Sequence, residues 1–356
     1  MSADDLQLKL GCIHLVSGHR PLSPPVLLTS LATRSDAATA QDFYGSGGAI
    51  AVLENRVADL LGKERALFFV NGVTAQLATL KQHAERAATS AIALHPLSHI
   101  DTDECGALER GAKLAIVRIG HVAPFGPDDL DAVNEPLAAV VVELPLRRAG
   151  YRLPELSHLR AISDVCRARG TTLHFDGARL WEAAAGYGIP VADLAALADS
   201  VYVSFYKGLG GLGGAIVAGT AEFVNALGPW KSRFGGNQFT AFPQALAALS
   251  GLDTHLPAMP RYIDRARALA ARLAGHPIVN PATPDVNAFQ LLLPGDPGTL
   301  MAQMRDFARH RGIWLFNVVR EAPLAGHAMA EVVIGDGHAT HSVEDAANWI
   351  EAFLEA

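Results

Sequence analysis

The sequence predicts an α/β protein: a mostly parallel central sheet with helices on both faces, followed by a smaller C-terminal α+β domain. Three observations lead there. Short, continuous apolar runs of strand length recur through the middle of the chain, one-sided apolar stripes at helical spacing lie between them, and the texture changes near Leu252. The runs cover 66–70, 90–94, 113–118, 137–144, 171–175, 200–205 and 214–218. A run apolar on both of its faces fits a strand covered on both sides. Leu53, Val57, Leu60 and Leu61 stand at i, i+4, i+7 and i+8, with Gly62 as a stop. Leu156, Leu159, Ile162, Val165 and Cys166 make a second stripe, ended by Gly170. Beyond Leu252 the pattern reads helix (about 261–274), strand (288–293), helix (299–311), short strands near 313–316 and 331–334, and a last helix from Val343. The expected organisation is an N-terminal arm over 1–24, a large domain over 25–251 and a small domain over 252–356.

Composition narrows the function classes. With 356 residues, half of them hydrophobic and 18% charged, the chain can bury a large core and is not a disordered protein. Its 33 glycines and 20 prolines follow no period, which excludes collagen-like and low-complexity classes. The net charge of -7, without a Lys/Arg block, argues against nucleic acid or an anionic membrane as partner. Cys12, Cys105 and Cys166 are far apart with no CxxC pair. They suggest neither a disulfide framework nor a thiolate metal site, and they fit a reducing compartment. The start, MSADDLQLKLG, has no signal-peptide pattern, and no run of about 18 apolar residues occurs. A cytoplasmic enzyme without a metal, acting on a small molecule, is the expectation.

In open α/β sheets, ligands bind beyond the carboxyl ends of the strands. Four such ends carry chemistry. The run 66–70 leads into Asn71-Gly72-Val73-Thr74, 90–94 into His95 and then His99, 171–175 into Asp176-Gly177-Ala178-Arg179, and 200–205 into Tyr206-Lys207 and a glycine cluster. Lys207 is an amine held at a strand end in partly apolar surroundings, able to form a Schiff base with an aldehyde. Asp176 is a carboxylate suited to keep a proton on a pyridine nitrogen. The Asn71–Thr74 turn opens a helix near Ala75, so its N–H groups suit a phosphate. His99 is placed to stack on a ring. Together these four point to pyridoxal 5'-phosphate (PLP). Taken singly, each has an ordinary explanation as a solvated loop lysine, a turn Asp-Gly or a satisfied imidazole. The Gly208–Gly214 cluster also raises a dinucleotide-dependent oxidoreductase, but no helix follows it directly and no acidic residue ends a next strand.

The stretches His174-Phe175-Asp176-Gly177-Ala178-Arg179-Leu180, Ala198-Asp199-Ser200, Ser204-Phe205-Tyr206-Lys207-Gly208-Leu209-Gly210 and Gly214-Ala215-Ile216-Val217-Ala218-Gly219 resemble the L-threonine aldolase and aromatic amino acid β-eliminating lyase family. The resemblance runs from about Phe43 to Ser250. It implies the PLP-dependent transferase fold type I, with Lys207 as the Schiff-base lysine, Asp176 on the pyridinium and His99 stacked on the ring. It further implies phosphate contacts from Gly72 and Val73, substrate carboxylate binding by Arg179, and cofactor contacts that include Arg179 and Ser204. A homodimer or homotetramer is implied as well.

The chain also departs from the family. It reads Glu143-Leu144-Pro145-Leu146-Arg147 where the family carries Glu-Asn-Thr-His-Asn, so Leu146 replaces an imidazole. Val73 stands for a threonine and Phe239 for an arginine. No arginine follows Ala330, leaving Arg320 as the nearest candidate for a second carboxylate-binding arginine, with Glu331 occupying a plausible site for it. Ser17-Gly18-His19-Arg20 reads either as a substrate-approaching arm or as a plain turn, the turn being the simpler. The expected activity is a PLP-dependent lyase on a β-hydroxy or β-substituted α-amino acid, of the threonine aldolase type, giving glycine and an aldehyde. β-Elimination, racemisation or transamination on the same cofactor is the first alternative, the oxidoreductase the second, and a non-catalytic PLP binder the third.

Overall fold

The computed structural model describes residues 2–34, 40–275 and 278–355. The chain divides into two compact units, one of Leu31–Leu256 and one of Met1–Ser30 with Pro257–Ala356.

The larger unit is built on a seven-stranded sheet whose strands, in chain order, are β1 (Arg65–Phe69), β2 (Ala91–Leu94), β3 (Ala115–Arg118), β4 (Ala139–Glu143), β5 (Thr172–Gly177), β6 (Ser200–Ser204) and β7 (Ala215–Gly219). Each falls within a few residues of an apolar run in the sequence. The spatial order is β1-β7-β6-β5-β4-β2-β3, with β7 antiparallel to both neighbours and every other pair parallel. All residues of β2, β4, β6 and β7 are buried, as continuous apolar runs require of strands covered on both faces. The stripe Leu53, Val57 and Leu61 lies buried on the helix Gly48–Leu61, while Leu60 is half-buried. Gly62 caps that helix in the left-handed region, and Gly170 does the same for Leu156–Arg169.

β5 runs two residues further than the apolar run 171–175, because ladder pairing with β4 and β6 continues past Phe175. Asp176 therefore lies inside the sheet, paired with Glu143 on one side and Tyr202 on the other. The helix expected from Ala75 begins at Gly72 and runs to Ala87. Asn71 is its N-cap, with Oδ1 accepting from the Thr74 N–H at 2.9 Å.

The smaller unit holds a four-stranded antiparallel sheet in the order Val319–Glu321, His327–Val333, Ala288–Pro294, Ile278–Asn280. The helices Met259–Arg272, Pro297–Arg311 and Val343–Leu354 belong to it. The first residues are part of this unit: the helix Ala3–Gly11 is tied to Pro297–Arg311 by Asp5–Arg305 at 2.6 Å, and His14–Leu15 pairs in parallel with Ile313–Trp314. The Ser17 hydroxyl is fully buried between the Glu331 carbonyl and the Val333 N–H. His19 lies 3.2 Å from Asp336. Among the described residues no helix is long and apolar enough to cross a membrane.

Gly214 sets the start of β7 with φ +87, and a Cβ there would come 2.5 Å from the Phe68 ring, itself 1% exposed. Gly214→Ala is thus expected to cost about 1–3 kcal/mol, seen as a fall of several degrees in the thermal midpoint. An unchanged midpoint would mean that β1 and β7 yield more freely than their packing implies.

Candidate active site

The carboxyl ends of β1, β4, β5 and β6 surround a cavity of about 120 Å³. Six of the residues singled out in the sequence meet on its wall: Gly72, Val73, His99, Asp176, Arg179 and Lys207. Ser204 does not line it; its hydroxyl is buried and donates to the Ala178 carbonyl at 2.8 Å. Leu146 is buried, and its N–H donates to the Arg152 carbonyl. His95 is buried too, its Nε2 lying 2.9 Å from the Ala123 carbonyl oxygen. A larger cavity, about 660 Å³, opens at the amino ends of the parallel strands beside Lys63, His83, Arg86 and Thr172. Among the described residues it has no amine facing a buried carboxylate, so the smaller one is the candidate site.

Ladder register places Glu143, Asp176 and Tyr202 in one row across β4, β5 and β6. Their side chains share one face, since residues level on parallel neighbours point the same way. Two carboxyls thus stand side by side in a dry setting. Burial, aided by the Glu143 charge, pushes Asp176 up to about 7. Burial also raises Glu143, whose oxygens accept from the backbone N–H groups of His99 at 2.6 Å and Arg147 at 3.1 Å. The Asp176 carboxylate accepts from the Ala178 N–H at 3.3 Å.

Lys207 follows β6. Burial, together with the nearby Arg179 and Arg147 charges, pulls its amine down to about 8, so a useful fraction is neutral near neutral pH. Its Nζ lies 5.0 Å from the centre of the Tyr206 ring. Arg179, at the start of the helix Leu180–Tyr187, rests over the buried Tyr151 ring at 5.1 Å. His99 opens a short helical turn, and its Nδ1 lies 3.2 Å from Glu104 Oε1. That partner raises the imidazole above its ordinary value despite partial burial.

The first turn of the helix Gly72–Ala87 faces the cavity with the backbone of Gly72 and Val73. A Cβ on Gly72 would sit 2.3 Å from Tyr202 Oη, so only glycine lets the helix start so close to β6. Helix N–H groups held against the sheet in this way suit an anion.

Four wall residues were not singled out as functional in the sequence. Glu104 follows a short turn with no periodic signal. Glu143 ends an otherwise apolar run, as Asp176 nearly does, and that shared pattern could have flagged it. Tyr202 and Gln76 sit within apolar surroundings and read as core.

A family model described as beta-eliminating lyase matches residues 30–293, most of the chain. The chain belongs to the beta-eliminating lyase family. The candidate L-allo-threonine aldolase of Listeria monocytogenes superimposes with a TM-score of 0.90 at 31% identity, over 98% of both chains. Low-specificity L-threonine aldolase 1 of Arabidopsis thaliana is 28% identical over 62% of this chain and 64% of its own length. An uncharacterized protein of Caenorhabditis elegans is 28% identical over 70% of this chain and 61% of its own. The matched region thus spans under two thirds of those two relatives. The sheet order with its single reversed strand is the fold type I of this family.

Asp176 gives a pH signature. In the ligand-free protein its raised folded value means that the native state holds a proton that the unfolded chain releases above about 3.8. Stability then falls as pH rises from about 4 to about 7. Asp176→Asn is expected to be the more heat-stable ligand-free protein at pH 8, by up to ~4 kcal/mol, with the gap closing toward pH 4. Thermal unfolding of both proteins across this range reads it out; a gap that widens in acid would refute it.

Proposed function

We propose that the protein is a PLP-dependent lyase of the threonine aldolase type, cleaving a β-hydroxy α-amino acid to glycine and an aldehyde. The observation that carries this reading is the dry Asp176 carboxyl, raised to about 7, on the wall of the same cavity as an amine lowered to about 8. Such a carboxyl fits a cationic ring nitrogen, and the Gly72 cradle fits a phosphate. When bound, PLP supplies a protonated ring that accepts electrons from the substrate's α-carbon.

In this reading Asp176 holds the proton on the ring nitrogen, and the N–H groups of Gly72 and Val73 bind the phosphate. Lys207 offers the amine that holds the cofactor's aldehyde. His99 covers one face of the ring. Arg179 takes the substrate carboxylate, for which its planar guanidinium is matched. With Leu146 buried where the family has an imidazole, His99 is the group left to take the proton from the β-hydroxyl. The Glu104 contact keeps His99 oriented and protonated to higher pH, so its basic form grows in as pH rises.

Assembly from identical copies in the cytoplasm belongs to the same reading. Three exposed aromatic rings, Phe43, Tyr44 and Phe239, cluster with centroids 5.0–5.5 Å apart and support a homo-oligomer.

The direct test is a panel of threonine, allo-threonine and phenylserine with product identification. Glycine plus the matching aldehyde is expected, with loose selectivity at Cβ. Ammonia and a keto acid without glycine would instead make the enzyme an eliminating lyase. Lys207→Ala should lose the absorbance at roughly 400–430 nm that borohydride removes; label on a different lysine would sink the assignment.

His99→Phe keeps an aromatic ring and removes the base, so aldol cleavage should drop by about 10²-fold or more. In the parent enzyme kcat/KM should rise with pH through the His99 titration. Glu104→Gln, which removes the contact that raises His99, should move that limb to lower pH. A limb that stays in place would take the base role away from His99.

A further inference from the structure

A chain of buried polar side chains runs under the active-site row. His174 on β5 and Ser200 on β6 are register partners two residues before Asp176 and Tyr202, so they lie on the same face one step deeper. His174 Nδ1 is 2.8 Å from Ser200 Oγ, Ser200 Oγ is 2.8 Å from His83 Nε2, and His174 Nε2 is 3.0 Å from Gln76 Oε1. All four residues are at most 3% exposed. Burial holds both imidazoles neutral, His174 at about 3.

The acceptors then fix every hydrogen. An amide oxygen only accepts, so His174 carries its proton on Nε2 and leaves Nδ1 bare. Nδ1 must accept from the Ser200 hydroxyl, and the Ser200 oxygen is left to accept from His83 Nε2–H. All donors point toward Gln76. The Gln76 amide nitrogen is buried and has no hydrogen-bond partner, although this side chain lines the active-site cavity. A buried NH₂ group without an acceptor is costly unless something in the cavity supplies one.

We propose that Gln76 is a cofactor-binding residue whose NH₂ group donates to an anionic oxygen of bound PLP, with His83, Ser200 and His174 as positioning residues that keep the amide nitrogen turned into the cavity. PLP offers such oxygens at two places, the phosphate and the ring hydroxyl position. The inference rests on reading the cavity as a PLP site, and the test separates the two.

Ligand-free parent protein, Gln76→Glu and Gln76→Leu are titrated with PLP, with pyridoxal, which lacks the phosphate, and with inorganic phosphate, followed by fluorescence quenching and the visible band. Gln76→Glu keeps an oxygen for His174 and the same shape, and the added carboxyl in a dry site should lower its thermal midpoint at pH 8 more than at pH 5. Its PLP dissociation constant should rise tenfold or more, since charge-assisted bonds are the strong ones. If the phosphate is the acceptor, Gln76→Leu weakens PLP and phosphate and spares pyridoxal. If the ring oxygen is the acceptor, it weakens PLP and pyridoxal, spares phosphate and shifts the visible band. PLP affinity within twofold of the parent in folded Gln76→Leu overturns the inference. A parent protein that takes up no PLP on Lys207 overturns the reading beneath it.

Discussion

A carboxyl group inside a parallel β-ladder must be either protonated or neutralised, and most of this site follows from that constraint at Asp176. The residue is 3% exposed and flanked in register by Glu143 and Tyr202. Water does not solvate its charge, and Glu143 beside it raises the cost of ionisation. The surrounding groups divide that load. Glu143 is itself held by two backbone N–H donors, from His99 and Arg147. His99 is tied to Glu104 and adds positive charge nearby. What remains is a position that favours a cation entering from the cavity.

The cationic and anionic groups are spread over different elements, and the sheet relates them. Row register sets Glu143, Asp176 and Tyr202 level without any loop being involved. Lys207 and Arg179 come from segments that leave adjacent strands, so their spacing is inherited from the roughly constant distance between strands. Arg179 lies over an aromatic ring that is itself fully buried, which limits its rotamers. The long, flexible side chains of the site, lysine and arginine, thus come from segments that directly follow sheet strands.

Much of this was legible in the sequence, for a physical reason. Strands buried on both faces leave continuous apolar runs, and a polar residue just beyond such a run marks a strand end. That logic located Asp176, Lys207, Gly72 and His99, and the cavity gathers all four. It failed where burial hides polarity. Gln76, His174 and Ser200 sit among apolar neighbours, and only their mutual hydrogen bonds, across separations that local pattern does not encode, distinguish them from filler. Ser204 shows the converse: it lies at a strand end, yet its hydroxyl is taken by the Ala178 carbonyl. The first residues read as an arm because the partners of His14 and Leu15 are Ile313 and Trp314, at the far end of the chain. Pairing of that range leaves no local trace.

The approach of Tyr202 Oη to the Cα of Gly72 has a consequence for how the protein can vary. The space that a side chain at position 72 would need is filled by one hydroxyl from the neighbouring strand, and that hydroxyl is bonded to Tyr206. Neither position can change size alone: a larger residue at 72 requires a shorter one at 202, and shortening 202 releases Tyr206 beside Lys207. The first turn of the helix Gly72–Ala87, strand β6 and the segment carrying Lys207 therefore form a single unit of sequence drift. Its members are free to be exchanged together and constrained when taken one at a time.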